Sequence, residues 1–356
     1  VDLTSYLELI SGRNKSLAAR TVRCALWVLS WGYGLAVTCR NGLFDCGLRK
    51  THRASVPVIS IGNLTTGGTG KTPVVAYLAN WFTVQGLQVG ILSRGYRSLE
   101  NGDNDEKRML DQLCPDIPHL QNPDRVAAAK QAVSKHSCEL LLLDDGFQHR
   151  RLQRDLNIVL IDAANPFGYG RLLPRGLLRE PLSGLKRANL IIITRADQID
   201  RPAKQQIIDR IAQIRGTAEH VELCFPPIRL VNFRGRICDW AQIQSLNVAA
   251  FCGIGNPDGF QQTLADAGLN IVCFQAFADH HHYDEPDLKM IVNIAKEQNA
   301  QCLLTTSKDL VKIPHNELEG LPLWALQIGV EITAGHDVLE AKLKAFGSNK
   351  AVAPPE

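Results

Sequence analysis

Gly67-Gly68-Thr69-Gly70-Lys71-Thr72 stands where an apolar, β-branched run, VPVISI, gives way to an apolar helical pattern. Small residues at that point let backbone N–H groups converge on an anion at a helix N-terminus. Lys71 has the reach to meet β- and γ-phosphates, and the Thr72 hydroxyl can ligate Mg²⁺. The loop in full is Thr65-Thr66-Gly67-Gly68-Thr69-Gly70-Lys71-Thr72, which departs from G-x-x-x-x-G-K-T only at Thr65. A second constellation is ELLLLDDGFQHR, where four leucines end in Asp144-Asp145. Adjacent acids at the end of a buried strand repel one another, so a cation is their natural counter-charge and a phosphate-bound Mg²⁺ the natural cation. Gly146 permits a tight turn after them, which aims Gln148 and His149 at the same place. A third group is the glycine- and proline-rich loop Asn165–Leu185 with Arg171, Arg175 and Arg179, whose guanidinium forks suit phosphate oxygens.

These side chains need strands that end together. The runs 56–61, 88–94, 139–145, 157–162 and 189–194 are almost continuously apolar, as parallel strands covered on both faces must be. Helical patterns at Pro73–Gln85 and Asp124–His136 separate them. The expected fold class is α/β: a doubly wound, mostly parallel sheet of P-loop NTPase type, with ligands at the carboxyl ends of its strands. The pattern changes near 225–236. Beyond it 247–252, 270–277, 301–306 and 321–328 predict further strands around a helix near Pro286–Gln298, hence a second, smaller α/β domain. The expected division is 1–50, an N-terminal membrane-facing helical segment; 51–228, the nucleotide-binding core; 229–347, the smaller domain; and 348–356, a disordered tail.

The chain has 356 residues, 45% of them hydrophobic, enough for two domains. A net charge of +3 without any long basic block argues against nucleic acid, and no obligate protein partner is evident. Its ten cysteines include no C-x-x-C pair and several lie in apolar runs, which predicts reduced thiols rather than zinc or disulfides. Cys24–Cys39 is free of charged residues, with Arg20, Arg23 and Arg40 flanking it. Sixteen helical residues span about 24 Å, short of the roughly 30 Å hydrocarbon core. Trp27 and Trp31 share one helical face, with Tyr33 close by. Two roles suit this segment: a helix lying in a membrane interface, or an N-terminal helix packed on the core.

In order along the chain, GNLTTGGTGKTP (62–73), DDGFQHR (144–150) and LLPRGLLREP (172–181) resemble the tetraacyldisaccharide 4′-kinase family. That family phosphorylates the 4′-hydroxyl of an acylated glucosamine disaccharide 1-phosphate, giving lipid IVA in lipid A biosynthesis. The resemblance runs from the N-terminal helix to about residue 340. It implies ATP with Mg²⁺, an acylated disaccharide lipid as acceptor, and peripheral attachment of the first helix to the cytoplasmic face of the inner membrane. It further implies a catalytic base in a G-D-E-P-like stretch. Asn104-Asp105-Glu106 matches, with Asn104 for the glycine and Lys107 for the proline, so Asp105 is the expected base and Asp103 its rival. An F-x-D-H-x-x-Y-like motif falls on Phe277, Asp279, His280 and Tyr283, and implies that His280, held by Asp279, assists.

A sugar hydroxyl is a weak nucleophile, so a base must take its proton as the bond to phosphorus forms. Asp105 is expected in that role. Asp145 is expected to act with Lys71 and the arginines of the 165–185 loop on the transferring phosphoryl group. Thr72, Asp144 and Asp145 are the expected magnesium ligands. Thr65 to Thr72, Gln148, His149, Arg171 and Arg179 are the expected nucleotide contacts. Closure of the two domains over the nucleotide would exclude water. A P-loop switch ATPase or GTPase at a membrane surface is the alternative, since Thr194-Arg195-Ala196-Asp197 is similar to a guanine-reading motif. In the blander reading Asp197 caps a helix. A membrane-binding module with a vestigial loop is a third.

Overall fold

The computed structural model describes residues 3–95, 105–279 and 281–347. The expected catalytic His280, the rival base Asp103 and the tail 348–356 lie outside the described residues. Two compact units are present. One comprises residues 5–95, 110–224 and 330–347, and the other residues 3–4, 105–109, 225–279 and 281–329.

The chain begins with α1 (Leu3–Ser11) and α2 (Leu17–Asp45), then alternates strand and helix. β1 (Val58–Asn63) leads through the glycine loop to α3 (Lys71–Val84), then β2 (Val89–Ser93), α4 (Asp105–Leu113), β3 (His119–Gln121) and α5 (Arg125–His136). β4 (Leu140–Asp144), β5 (Leu156–Asp162) and β6 (Leu190–Thr194) follow, then α6 (Arg201–Arg215) and β7 (Val221–Cys224). In the second unit come β8 (Pro227–Val231), β9 (Ile237–Cys238), α7 (Trp240–Ile243), β10 (Asn247–Cys252), α8 (Pro257–Asp266), β11 (Asn270–Ala276), α9 (Glu285–Glu297), β12 (Cys302–Thr306), α10 (Ser307–Leu310), β13 (Glu317–Leu318) and β14 (Leu321–Ile328). β15 (Glu331–Ala334) and α11 (His336–Gly347) close the described chain.

Among the described residues the first unit holds an eight-stranded sheet in the order β15-β7-β6-β5-β1-β4-β2-β3. It is parallel except for β15, which runs antiparallel to β7. Every residue of β1, β2, β4 and β6 is buried, as continuous apolar runs covered on both faces require. β1 lies between β4 and β5, and Ile61 sits opposite Asp144. That register brings the glycine loop and the paired acids out side by side at the carboxyl ends of neighbouring strands. The turn after β4 folds tightly onto β1: a Cβ on Gly62 would stand 2.7 Å from Phe147 Cβ.

The second unit is built on another sheet, β11-β10-β12-β14-β8-β9, whose first four strands run parallel and whose last two are antiparallel. The expected division needs correction: the smaller unit runs from Phe225 to Gly329 rather than over 229–347, and takes residues 105–109, Asp105 among them, out of the expected core 51–228. β15 pairs with β7, and α11 buries Leu339 and Leu343, so the last described residues return to the first sheet. A four-residue strand followed by a short amphipathic helix carries no sign in sequence of the sheet it joins.

α2 is also longer than its uncharged stretch. Its 29 residues extend through Arg20, Arg23 and Arg40, and it is long and apolar enough to cross a membrane by length and composition. It has two faces. Val28, Leu29, Trp31 and Leu35 are more than 60% exposed, while Ala19, Ser30, Gly34, Val37 and Phe44 are buried. Tyr33 departs from the expectation that grouped it with the two tryptophans. Its hydroxyl turns inward and donates to the Arg179 carbonyl at 2.8 Å.

Candidate active site

Gly70, at φ +79°, is the N-cap of α3, and Gly67 lies at φ +114°. Such angles favour glycine. A Cβ on Gly67 or Gly68 would meet nothing within 4 Å, so the loop rims open space rather than packed protein. Its carbonyls are engaged from outside. Thr194 Oγ1 donates to Thr69 O at 3.1 Å, Arg195 Nη2 to Gly68 O at 3.1 Å and Arg179 Nε to Thr65 O at 3.1 Å. With carbonyls held outward, the amides opening α3 are the groups left for an anion. Thr65 and Thr69 are buried supports, and the Thr66 N–H donates to Leu177 O at 2.7 Å.

The paired acids meet the loop as their strand positions require. Lys71 Nζ lies 3.6 Å from Asp145 Oδ1. Arg179 grips the same carboxylate with two nitrogens, Nη1 to Oδ2 at 2.8 Å and Nη2 to Oδ1 at 2.9 Å. Burial pushes the Asp145 carboxyl up, yet Lys71, Arg179 and Arg125 together hold it well below the usual carboxylate range. Asp145 itself sits at φ +49°, in the left-handed region, at the head of the turn. Asp144 is 3% exposed. A Thr72 hydroxyl and two carboxylates are a hard-oxygen set of the kind Mg²⁺ takes beside phosphate oxygens and water, so the residues present fit the ion.

Other expected residues have different surroundings. Gln148 Nε2 donates to Asn63 O at 2.8 Å and to Glu180 Oε1 at 3.1 Å, tying β1 to the arginine loop. The His149 ring is pushed down to about 4 by burial, with Arg125, Arg154 and Arg151 adding to it, so it is neutral at pH 7. Arg171 is exposed, and the fold uses its carbonyl, which accepts from the Leu178 N–H at 3.0 Å. Arg175 donates to Ile10 O at 2.8 Å and anchors α1. Asp197 is not the helix cap: Asp200 caps α6 through the Ala203 N–H. Thr194 and Arg195 brace the phosphate loop, and Arg195 also pairs with Asp162 at 2.6 Å.

Three residues of this cluster carry no signal in the sequence reading. Asn63 Oδ1 accepts from Lys71 Nζ at 3.2 Å and also from Arg179. Glu180, 1% exposed, takes Arg187 at 2.5 Å and Asn41 of α2 at 3.2 Å. Arg125, 4% exposed, is lowered by burial, while Asp145 and Asp144 pull it the other way. The first two belong to GNLTT and LLREP, where proximity to the loop is the only hint.

In the second unit, Asp105 opens α4 and its Oδ2 lies 3.4 Å from Lys312 Nζ. Lys312, with a 6% exposed side chain, also meets Asp309 at 3.1 Å. Asp309 is fully buried and accepts from the Gly253 N–H at 2.9 Å and Thr306 Oγ1 at 2.7 Å. Thr305–Asp309 is therefore a brace for Asp105 through Lys312. Asp279 pairs with Lys308 at 2.7 Å. His281 stacks on Phe277 and meets Asp287 at 2.7 Å, whereas His282 is exposed, so these neighbours do not converge on one ion. Among the described residues no group of three or more His, Cys, Asp and Glu side chains could hold a metal.

A family model described as tetraacyldisaccharide-1-P 4′-kinase matches residues 22–346. The tetraacyldisaccharide 4′-kinase of Elusimicrobium minutum is 40% identical over 317 residues, covering 83% of this chain and 83% of that protein. The enzyme of the same name from Halothermothrix orenii is 34% identical, covering 95% and 97%. Among solved structures, LpxK of Aquifex aeolicus in complex with ATP superposes with a TM-score of 0.69 at 29% identity, covering 91% of this chain and 98% of that one.

Proposed function

The chain belongs to the tetraacyldisaccharide-1-P 4′-kinase family, and we propose on that premise a division of labour among its own residues. It is an ATP-dependent kinase of lipid A biosynthesis that phosphorylates the 4′-hydroxyl of a tetraacylated disaccharide 1-phosphate. The observation that carries the assignment of roles is the cluster of Lys71, Arg179 and Asp145 beside an open glycine cradle.

The amides at the start of α3 hold the β- and γ-phosphates, and Lys71 spans them. Arg179 is held ready by Asp145, Asn63 and the Thr65 carbonyl. When triphosphate arrives, its oxygens replace the carboxylate as the guanidinium's bidentate partner and share Lys71 with it. A preorganised cation of this kind lowers the barrier by offsetting charge where it develops. When bound, Mg²⁺ supplies further charge neutralisation at the phosphates, with Thr72, Asp144 and Asp145 as the residues that would hold it. Asp105 accepts the proton of the sugar hydroxyl, its carboxylate set 3.4 Å from the ammonium of Lys312. Asp279, set by Lys308, is assigned with His280 to tune that transfer.

The membrane contact belongs to the outward face of α2, with its exposed Val28, Leu29, Trp31 and Leu35. The inner face of the same helix donates to the site through Tyr33, Arg40 and Asn41. A helix so committed on one side lies along a bilayer surface rather than across it. The reading is thus a peripheral enzyme on the cytoplasmic face of the inner membrane. Asp105→Asn tests the assignment of the base: transfer falls by about 10²–10⁴ while ATP affinity stays. Normal transfer by that variant would place the base elsewhere.

A further inference from the structure

At the amino end of β5, the opposite end of the strand from Asp162, a cavity of about 200 Å³ is lined by Thr51, Arg150, Gln153, Arg154, Asn157 and Arg187. Every lining side chain carries a hydrogen-bond donor, and three are guanidinium groups. Carboxylates are fewer. Asp45 meets Arg150 at 2.6 Å and Glu180 meets Arg187 at 2.5 Å, but Arg154 makes no ion pair among the described residues. Neutral groups fix it instead: Nε donates to Asn157 Oδ1 at 2.9 Å, and Nη1 to the carbonyls of His149 at 3.0 Å and Leu152 at 3.3 Å. Arg187 stacks on Phe147 at 4.7 Å, and its Nε is buried with no hydrogen-bond partner among the described residues. Burial first, then Arg187 and Arg150, bring the Arg154 guanidinium down to about 10, with Glu180 opposing them; a bound anion would offset the arginines' mutual repulsion further.

We infer that this cavity is a second anion site, taking the phosphate group of a lipid headgroup or free phosphate, apart from the phosphate loop. Guanidinium forks match phosphate oxygens two at a time, and the hydroxyl and amide donors at the rim complete the set. The end of α2 adjoins the cavity. Phe44 packs against Arg150 at 5.2 Å, and Leu43 and Leu48 beside it are exposed, so a phosphate held here stands next to apolar side chains, as a headgroup does. The site does not depend on the kinase assignment, and its test reads binding rather than transfer.

The full chain is saturated with ATP in the absence of magnesium, which fills the phosphate loop without turnover. It is then titrated calorimetrically with inorganic phosphate, and floated with phosphatidylcholine vesicles with and without phosphatidic acid. Gln153→Glu and Thr51→Glu set a carboxylate at the rim. Both positions are exposed, and Gln153 joins the fold through its backbone N–H to His52 O at 2.8 Å, so neither change disturbs packing. Lys15→Glu, before α2, alters net charge without touching the cavity. The expected result is saturable phosphate binding, or flotation that phosphatidic acid raises above the phosphatidylcholine level set by α2, the increment weakened roughly tenfold or more by the two rim carboxylates and kept in Gln153→Ala. Heat with inorganic phosphate identifies the free anion, and the flotation increment alone identifies the headgroup. Absence of both overturns the inference. So does wild-type binding by the rim variants, or an equal loss in Lys15→Glu, which would reduce the effect to diffuse surface charge.

Discussion

Arg179 ties the candidate site together, because it holds the Asp145 carboxylate, the Asn63 amide oxygen and the Thr65 carbonyl at once. On the proposed role for Arg179 at the phosphoryl group, Arg179→Met should lower kcat by about 10²–10³. Lys at the same position restores charge but not the fork, so steady-state assays should find it only partly rescued. His149 gives a stability signature. Its ring, pushed down to about 4, binds a proton at 6.5 when the chain unfolds. The unfolded state therefore binds more protons between those values, and stability is complete above 6.5 and declines as pH falls toward 4. Urea melts of His149→Gln should show a shallower acid slope in that window than the parent chain. The meeting of Lys71 with Asp145 was legible in sequence, because the glycine loop and the double aspartate each end an apolar strand of one parallel sheet. Asn63, Glu180 and Arg125 were not, since an amide, a buried acid and a helix-start arginine acquire meaning only from the strands that bring them together.

At the scale of elements, the strand–loop–helix β1–α3 and the strand β4 follow from apolar periodicity within one or two residues of each end. β3, β7 and β15, of three or four residues each, are too short to rise above their surroundings. α2 shows the limit from the other side. A charge-free window marks its apolar character but gives no sign that Tyr33, Arg40 and Asn41 turn back toward Arg179, Gln148 and Glu180. Trp31 and Leu35 are each 67% exposed. Trp31→Glu with Leu35→Glu should leave the melting transition in place and release the protein from vesicles. Each lost apolar insertion is worth roughly 1.5–3 kcal/mol, or about ten- to hundredfold in partitioning. Retention on vesicles by the double variant would assign attachment to another surface.

Over the whole molecule, the chain leaves its first sheet at Phe225, builds a second, and returns after Gly329 to add β15 to β7. A linear reading of domains cannot anticipate a return of this kind, because edge pairing is decided by which strand end is vacant. Leu343, fully buried in α11, belongs to the first unit. Leu343→Ala should cost about 2–5 kcal/mol and speed amide exchange in β6 and β7 while β10 and β12 keep their protection. The central claim is that the glycine loop and the paired acids hold a triphosphate for transfer to a lipid alcohol. Incubation of the full chain with γ-labelled ATP, magnesium and detergent-dispersed tetraacylated disaccharide 1-phosphate tests it most directly. The label should appear on the lipid and vanish from it in Lys71→Met. Label recovered only as inorganic phosphate, or transfer undiminished without Lys71, would contradict it.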